Sequence, residues 1–220
     1  MRFKEIKLQT SVPEDLAFFY GEILGLNVDA VDETIHINTQ SSKLIFEKAD
    51  TDSEPFYHFA FNIPSNKIIE AFEWVNKKVT VLWVAEYNDY IANFSNWNAK
   101  SIYFLDPAGN IVEFISRFDL NDNSNESFSS ELIRSVSEIG LVFPFDSIED
   151  KVERILTDYS LSYFNKQEPL PQFKAIGDDN GLFICVPERR NWFPTKNKPA
   201  HMFPLEITFS EENKEFIYKN

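Results

Sequence analysis

Several residue types are scarce in this 220-residue chain, and each shortage excludes a class of protein. Cys185 is the only cysteine, so the chain can form neither an internal disulfide nor a zinc site built from several cysteines. The 21 basic residues are outnumbered by 35 acidic ones, and the resulting net charge of −14 makes nucleic acid and anionic membrane surfaces poor partners. No apolar run approaches the roughly 20 residues that span a bilayer. Sequence motifs of P-loop proteins, dinucleotide-binding folds, serine hydrolases and zinc proteases are missing as well.

The residues that are abundant are typical of a globular protein. Hydrophobic residues make up 43% of the chain and aromatic residues 15%, which is enough to build a sizeable core. The 22 phenylalanines against six glycines predict aromatic-rich packing. Residues 1–10 are charged and alternating, unlike a signal peptide, so we expect a cytoplasmic location.

Three segments of the chain begin alike, which indicates an internal repeat. Residues 5–8, 58–61 and 138–141 each alternate in polarity as half-buried strands do, and each is followed by a helix signal. Further strands are predicted after each helix, at residues 34–38 and 43–48, at 80–86, 101–105 and 111–116, and at 173–176, 182–186 and 205–209. The sequence therefore predicts an α+β protein of three β-α-β-β-β units.

A polar segment separates the second unit from the third. Residues 119–130 are rich in Asn, Ser and Asp, which is typical of a linker. We therefore expect a two-unit domain over residues 1–118 and a divergent third unit over residues 131–220.

Two motifs resemble those of the vicinal oxygen chelate (VOC) superfamily of glyoxalases, bleomycin-resistance proteins and ring-cleaving dioxygenases. Residues 19–25 (FYGEILG) are similar to its FY-x-x-x-LG signature, and residues 103–113 (YFLDPAGNIVE) resemble its closing hairpin. The resemblance implies that two paired units curl their sheets around a pocket for a small molecule. It also implies a small-molecule ligand as partner.

The resemblance further implies positions for metal ligands on the first and last strands of each paired unit. These positions fall on Glu5, Ile45, His58 and Glu113, and Ile45 cannot coordinate an ion. A three-ligand site of Glu5, His58 and Glu113 would leave room for substrate oxygens on a divalent ion such as Fe, Mn, Mg, Zn or Ni. One histidine with two carboxylates favours Mn²⁺, Mg²⁺ or Fe²⁺.

Strand alternation supports an inward polar face independently of the resemblance. Gln9 shares a face with Glu5, and Asn62 shares one with His58, because side chains alternate along a strand. Trp97 and Tyr103, beside or within the closing hairpin, are the best aromatic candidates for contact with a ligand, although core packing is the alternative for each. The predicted substrate-binding residues are thus Gln9, Asn62, Trp97 and Tyr103.

Alternatives to the metal site remain open. A protonated His58 between two carboxylates would need no metal, and the polar residues could form a structural cluster only. The sequence accordingly predicts a small-molecule-binding protein, either a metal-dependent lyase or dioxygenase or a sequestering protein without metal. It identifies no catalytic base.

The third unit lacks an evident partner within the chain, so we expect it to pair with a second copy in a homodimer or to cap the first domain. Glu138 and Glu206 occupy its ligand-like positions, and a site there would need ligands from another unit. An Arg189-Arg190 pair precedes Trp192 and Phe193, and arginine can fork onto a carboxylate or phosphate. A solvated turn is the alternative for this cluster.

Overall fold

A computed structural model describes residues 1–50 and 53–220, which form two twisted β-sheets with helices packed between and around them. The three α-helices of this described part are α1 (Pro13–Phe18), α2 (Ile68–Val75) and α3 (Ile148–Asp158), and α1 continues into a π-helical turn over Phe19–Ile23. The strands are β1 (Arg2–Thr10), β2 (Asn27–Val31), β3 (Thr34–Asn38), β4 (Lys43–Lys48), β5 (His58–Ile63), β6 (Ala92–Phe94), β7 (Ala99–Leu105), β8 (Ile111–Arg117), β9 (Ser135–Phe143), β10 (Lys174–Asp178), β11 (Gly181–Pro187), β12 (Leu205–Glu211) and β13 (Lys214–Lys219).

The predicted α+β class and the repeated units are confirmed. Strands β3 and β4 begin and end where the alternation predicts, and β7, β8, β11 and β12 extend their predicted ranges by a few residues. None of the described helices combines the length and the apolar character needed to cross a membrane.

Three segments differ from the prediction. Residues 80–86 form only single bridges at Val81 and Val84, and the short strand β6 follows instead. The sequence also missed β2 and β13, whose residues are mostly exposed, so they lack the apolar alternation that marks a half-buried strand.

The pairing of the units also differs from the expectation that the first two units close on each other. The six-stranded sheet has the order β13-β12-β1-β4-β3-β2, and the seven-stranded sheet has the order β10-β11-β9-β5-β8-β7-β6. Strand β9 of the third unit lies antiparallel to β5 of the second, and β12 lies antiparallel to β1 of the first. The third unit is therefore divided between both sheets.

This arrangement covers edges that would otherwise be exposed. An unpaired first strand presents a row of free backbone N–H and C=O groups, and β9 and β12 supply their partners within the chain. The premise of the homodimer, an unpartnered third unit, therefore does not hold, and the homodimer itself stays a prediction.

The predicted linker is docked against the fold. The Phe128 ring is buried and lies against Trp74, with ring centroids 5.4 Å apart. The backbone oxygen of Asp122 accepts a hydrogen bond of 2.6 Å from the Ser65 N–H, and its carboxylate pairs with Arg134. Strands from residues 1–118 and from residues 131–220 thus lie side by side in both sheets, and this segment connects them in the sequence.

Both faces of the seven-stranded sheet are buried. One face packs on the helices and on the second sheet in a large core that includes Phe59, Phe114 and Ile139. The opposite face carries a smaller apolar cluster that includes Ala60, Ile115 and Ile184. The candidate site lies within this smaller cluster.

Candidate functional site

The register of three neighbouring strands brings two carboxylates over one alanine. Strand β5 lies between β8, which is parallel to it, and β9, which is antiparallel. Ala60 is opposite Glu113 on one side and Glu138 on the other. Because paired residues share a face, both carboxylates project beside the small Ala60 side chain. His58, two residues earlier on β5, shares that face.

The three side chains converge in a buried cluster. One potential ligand atom from each of His58, Glu113 and Glu138 lies within 4.8 Å of the others. The three residues are 6%, 2% and 3% exposed, so their charges are largely removed from water. Burying two carboxylates side by side is costly unless a proton or a cation lies between or beside them.

A backbone carbonyl fixes the tautomer of His58. Its Nδ1 lies 3.1 Å from the carbonyl oxygen of Ile111, which can only accept, so Nδ1 carries the hydrogen. Burial, opposed by that hydrogen bond and assisted by the positive charge of Arg190, lowers the pKa of His58 to about 4. In the neutral ring Nε2 therefore carries a lone pair and no hydrogen. This nitrogen lies 3.6 Å from Oε2 of Glu113.

The two carboxylates differ in their cationic support. Burial raises the pKa of Glu113 well above its usual value, and the negative charge of Glu138 raises it further. Burial also raises the pKa of Glu138, but Arg117 opposes that effect. Glu113 is consequently the carboxylate of the pair that holds a proton more readily.

Arg117 stands behind Glu138 as a completely buried cation. Its Nη2 donates to Oε1 of Glu138, and its Nη1 lies 3.5 Å from Asp179. The guanidinium carbon lies 5.7 Å from the centre of the Trp97 ring. This contact set holds one oxygen of Glu138 and leaves its other oxygen for a ligand.

An indole ring closes the cluster from above. The ring centre of Trp192 lies 5.2 Å from that of His58. Gly140, two residues after Glu138 on β9, makes room for this ring, since a Cβ there would lie 2.4 Å from a Trp192 ring carbon. The sequence therefore needs glycine at position 140 for the indole to lie on the sheet.

A cavity of about 280 Å³ opens beside the cluster. Its wall is mainly aromatic and apolar, which is typical of small-molecule sites, with a few polar groups converging on it. Its lining comprises His58, Phe94, Asn96, Trp97, Tyr103, Glu113, Glu138, Gln167, Leu170, Phe173, Ile184, Arg190, Trp192 and Phe193.

Four of the seven predicted site residues lie at this cavity. His58 and Glu113 are brought together, and Trp97 and Tyr103 line the wall. Burial raises the pKa of Tyr103 well above its usual value, as do the nearby Glu113 and Glu138, so its phenol stays protonated.

The others lie elsewhere, and Glu5 is the main correction. Glu5 is in the six-stranded sheet, where its carboxylate lies 3.6 Å from Lys7. Gln9 is in the same strand, and its N–H donates to the Tyr57 hydroxyl. Asn62 lines a separate polar cleft rather than this cavity. The residue that joins His58 and Glu113 is Glu138 rather than Glu5, because β9 and not β1 pairs with β5.

The sequence held a signal for the residues that were missed. Glu138 occupies the same position in its repeat as Glu5 and His58, and only the choice of partner strand separated them. The cluster after β11 also reaches the cavity, where Arg190, Trp192 and Phe193 form part of the wall.

Comparison with solved structures confirms the fold. The chain is similar to a proposed dioxygenase from Bacillus subtilis, with a TM-score of 0.58 and 14% identity over 84% of this chain and 63% of that one. It is also similar to a lactoylglutathione lyase from Agrobacterium tumefaciens (TM-score 0.41, 18% identity, 50% of this chain and 90% of that one). A glyoxalase/bleomycin resistance protein/dioxygenase from Nocardioides gives a TM-score of 0.42 and 19% identity over 52% and 82% of the two chains.

Neither a protein-family model nor a curated protein sequence matches the chain. The chain spans less than two thirds of the Bacillus subtilis protein. At such low sequence identity, the similarity shows the fold and not the activity.

Proposed function

Because the chain has the fold of the vicinal oxygen chelate superfamily, we propose that it binds a small molecule through a divalent metal ion held by His58, Glu113 and Glu138. The reaction class that we propose is that of a metal-dependent lyase or dioxygenase. Its substrate would present oxygen atoms to the ion.

The observation that carries this proposal is the contact between His58 and Glu113. The lone pair of His58 Nε2 faces a carboxylate oxygen at 3.6 Å, and two acceptors that face each other need a proton or a cation between them. A divalent ion would satisfy both and would also offset the second buried carboxylate, Glu138.

The donor set fits such an ion. One imidazole nitrogen and two carboxylate oxygens suit Mn²⁺ or Fe²⁺, and three protein ligands leave coordination positions open. Ile111 would orient His58 through its Nδ1–H, and Arg117 would orient Glu138, as outer partners orient metal ligands in proteins. The ion would supply Lewis-acid polarisation of substrate oxygens.

The chain's own residues would position the substrate. Tyr103 lies opposite Glu113 across β7 and β8, and its protonated phenol would donate to that carboxylate and hold it at the edge of the cavity. Trp192 shields His58 from water, and Trp97 bounds the cavity on the side of Arg117.

A metal titration tests the proposal. Chelator-treated protein should bind one equivalent of Mn²⁺ or Fe²⁺ in calorimetry. His58→Gln and Glu113→Gln should each weaken binding by more than about 100-fold, beyond the range usual for outer partners. Glu5→Gln is the matched control and should bind as the wild type does. A folded wild type that takes up no divalent ion, or a Glu5→Gln variant that loses the ion equally, would refute the metal centre.

A second candidate function is sequestration of a small molecule without metal. It is favoured by the raised pKa of Glu113, because a proton on Glu113 would equally satisfy the lone pair of His58. This function predicts that chelator-treated protein retains ligand affinity and releases the compound unchanged. Chemical conversion of the bound compound, followed by mass spectrometry, would exclude it.

A further inference from the structure

Arg190 lines the candidate cavity, and among the described residues it forms no ion pair. Arg190 lies in the turn after β11, and among the described residues no Asp or Glu oxygen lies within 4 Å of its guanidinium nitrogens. Its guanidinium carbon lies 5.3 Å from the centre of the Phe173 ring, which also lines the cavity. Burial lowers the pKa of Arg190, which indicates a partly desolvated charge.

The neighbouring Arg189 is a contrast within the same turn. Arg189 is exposed and is not among the residues that line the cavity, whereas Arg190 is half-buried and does line it. Backbone hydrogen bonds tie this turn to a second segment, because Arg189 N–H donates to Ala200 and Ala200 N–H donates to Arg190, each at 2.8 Å. The turn therefore holds one arginine towards the cavity and leaves the other in solvent.

Apart from its polar residues, the rest of the wall is aromatic or aliphatic. Rings of Phe94, Trp97, Phe173, Trp192 and Phe193 line the cavity, and the Phe193 ring lies 5.4 Å from that of Tyr103. At about 280 Å³ the cavity is slightly smaller than most ligand pockets. Such a wall favours a ring-sized occupant, since aromatic rings pack edge-to-face or offset on one another.

We infer that the occupant of the cavity is a small aromatic acid, whose carboxylate is held by the fork of Arg190 and whose ring lies among the aromatic side chains. Arginine presents two parallel donors to a carboxylate or a phosphate, and this geometry is strongest where water is partly excluded. The inference rests on the proposed function in one respect, because the ligand's reacting oxygens would face His58, Glu113 and Glu138 in the same cavity.

Binding of matched pairs of probes tests the inference. Benzoate and phenylacetate are titrated against their neutral amides, benzamide and phenylacetamide, in calorimetry with chelator-treated protein. Each acid should bind about 10-fold or more tightly than its amide. Phenyl phosphate should bind more weakly than benzoate if the site is built for a carboxylate, and acetate should bind weakly because it lacks the ring.

Two arginine variants locate the effect. Arg190→Gln should abolish the preference for the acid, and a circular dichroism spectrum and an unfolding midpoint like those of the wild type show that the variant is folded. Arg189→Gln, the matched neighbour, should retain the preference. Acids that bind no tighter than their amides, acetate as tight as benzoate, or equal losses in both variants would overturn the inference.

The metal-free condition separates this inference from the proposed function. If the preference for acids persists in the presence of chelator, the inference holds whether or not the metal titration succeeds. If the preference appears only after metal is added and survives Arg190→Gln, the carboxylate binds the ion and the role of Arg190 is refuted.

Discussion

Equivalent positions of the repeat have opposite environments in the two sheets. On the six-stranded sheet, Glu5 and Glu206 flank Lys7, whose amine lies 3.6 Å and 3.0 Å from them. On the seven-stranded sheet, His58, Glu113 and Glu138 cluster with no lysine among them. Hydrogen bonds from Lys219 and Lys7 lower the pKa of Glu206, whereas burial raises that of Glu113.

What covers each face explains the difference. The Glu5 side chain is 34% exposed, and that of Glu113 is 3% exposed. Trp192 and the turn around it lie over the seven-stranded sheet, and they exclude water from the acids beneath. A repeated strand thus provides the position of a polar residue, and the segment packed above it decides whether that residue is a solvated ion pair or a candidate reactive group.

The largest expected difference between the two clusters concerns the loss of one carboxylate charge. Glu138→Gln should lower the free energy of unfolding by about 3 to 5 kcal/mol, because it removes the closer ion pair of the buried Arg117 and leaves the 3.5 Å contact with Asp179. Urea denaturation of chelator-treated protein measures the change.

Glu206→Gln is the matched change on the exposed cluster and should cost no more than about 1 kcal/mol. Equal losses of unfolding free energy in the two variants would contradict the comparison. Burial would then not determine how much a carboxylate contributes to stability.

The next effect concerns the pH dependence of stability. The pKa of His58 is about 4 in the folded protein and 6.5 in its ordinary state, so the unfolded chain takes up the proton first as pH falls. The contribution of neutral His58 to the unfolding free energy is therefore fully present above pH 6.5. It declines by up to about 3 kcal/mol as the pH falls from 6.5 to 4.

His58→Asn should remove that part of the decline, measured as the difference in unfolding free energy from the wild type at pH 7, 6, 5 and 4. A constant difference between His58→Asn and the wild type across this range would contradict a buried neutral His58.

The smallest effect concerns space rather than charge. Gly140→Ala would place a Cβ against the Trp192 ring at 2.4 Å, so the ring must move, at a cost of about 1 to 3 kcal/mol. A changed tryptophan emission spectrum should accompany this loss of stability.

Gly21→Ala is the control, because its Cβ would lie 3.7 Å from Val28 at ordinary contact distance. It should change stability by less than about 1 kcal/mol. If Gly140→Ala changed stability as little as Gly21→Ala, the packing of Trp192 on β9 would not require glycine at position 140.

Local patterns in the sequence predicted the strands that carry the site, but they did not predict which strands lie side by side. Alternation predicted β5 and β8, since both strands are strongly apolar on one face, and the resemblance to the vicinal oxygen chelate superfamily pointed to His58 and Glu113 on them. The pairing of β5 with β9 depends on which of the strands with a free edge become neighbours in the sheet. The alternation within a single strand does not specify its neighbour.

Local sequence patterns likewise did not predict which segment covers the site. Arg190 and Trp192 are about 130 residues from His58 in the sequence, and only the parallel pairing of β11 with β9 brings their turn over the cavity. The mostly exposed β2 was missed for the opposite reason, because a strand without a buried face leaves no apolar period in the sequence.

The pairing of β1 with β12 has a consequence for biosynthesis. Ile6 of β1 lies opposite Ile207 of β12, so about 200 residues must be made before this edge of the sheet finds its partner. Contacts of such long sequence separation form slowly, and an open strand edge invites pairing with other chains. During translation, the earliest strand of the described fold would therefore wait longest for its neighbour, and nascent chains halted before residue 205 should depend most on chaperones.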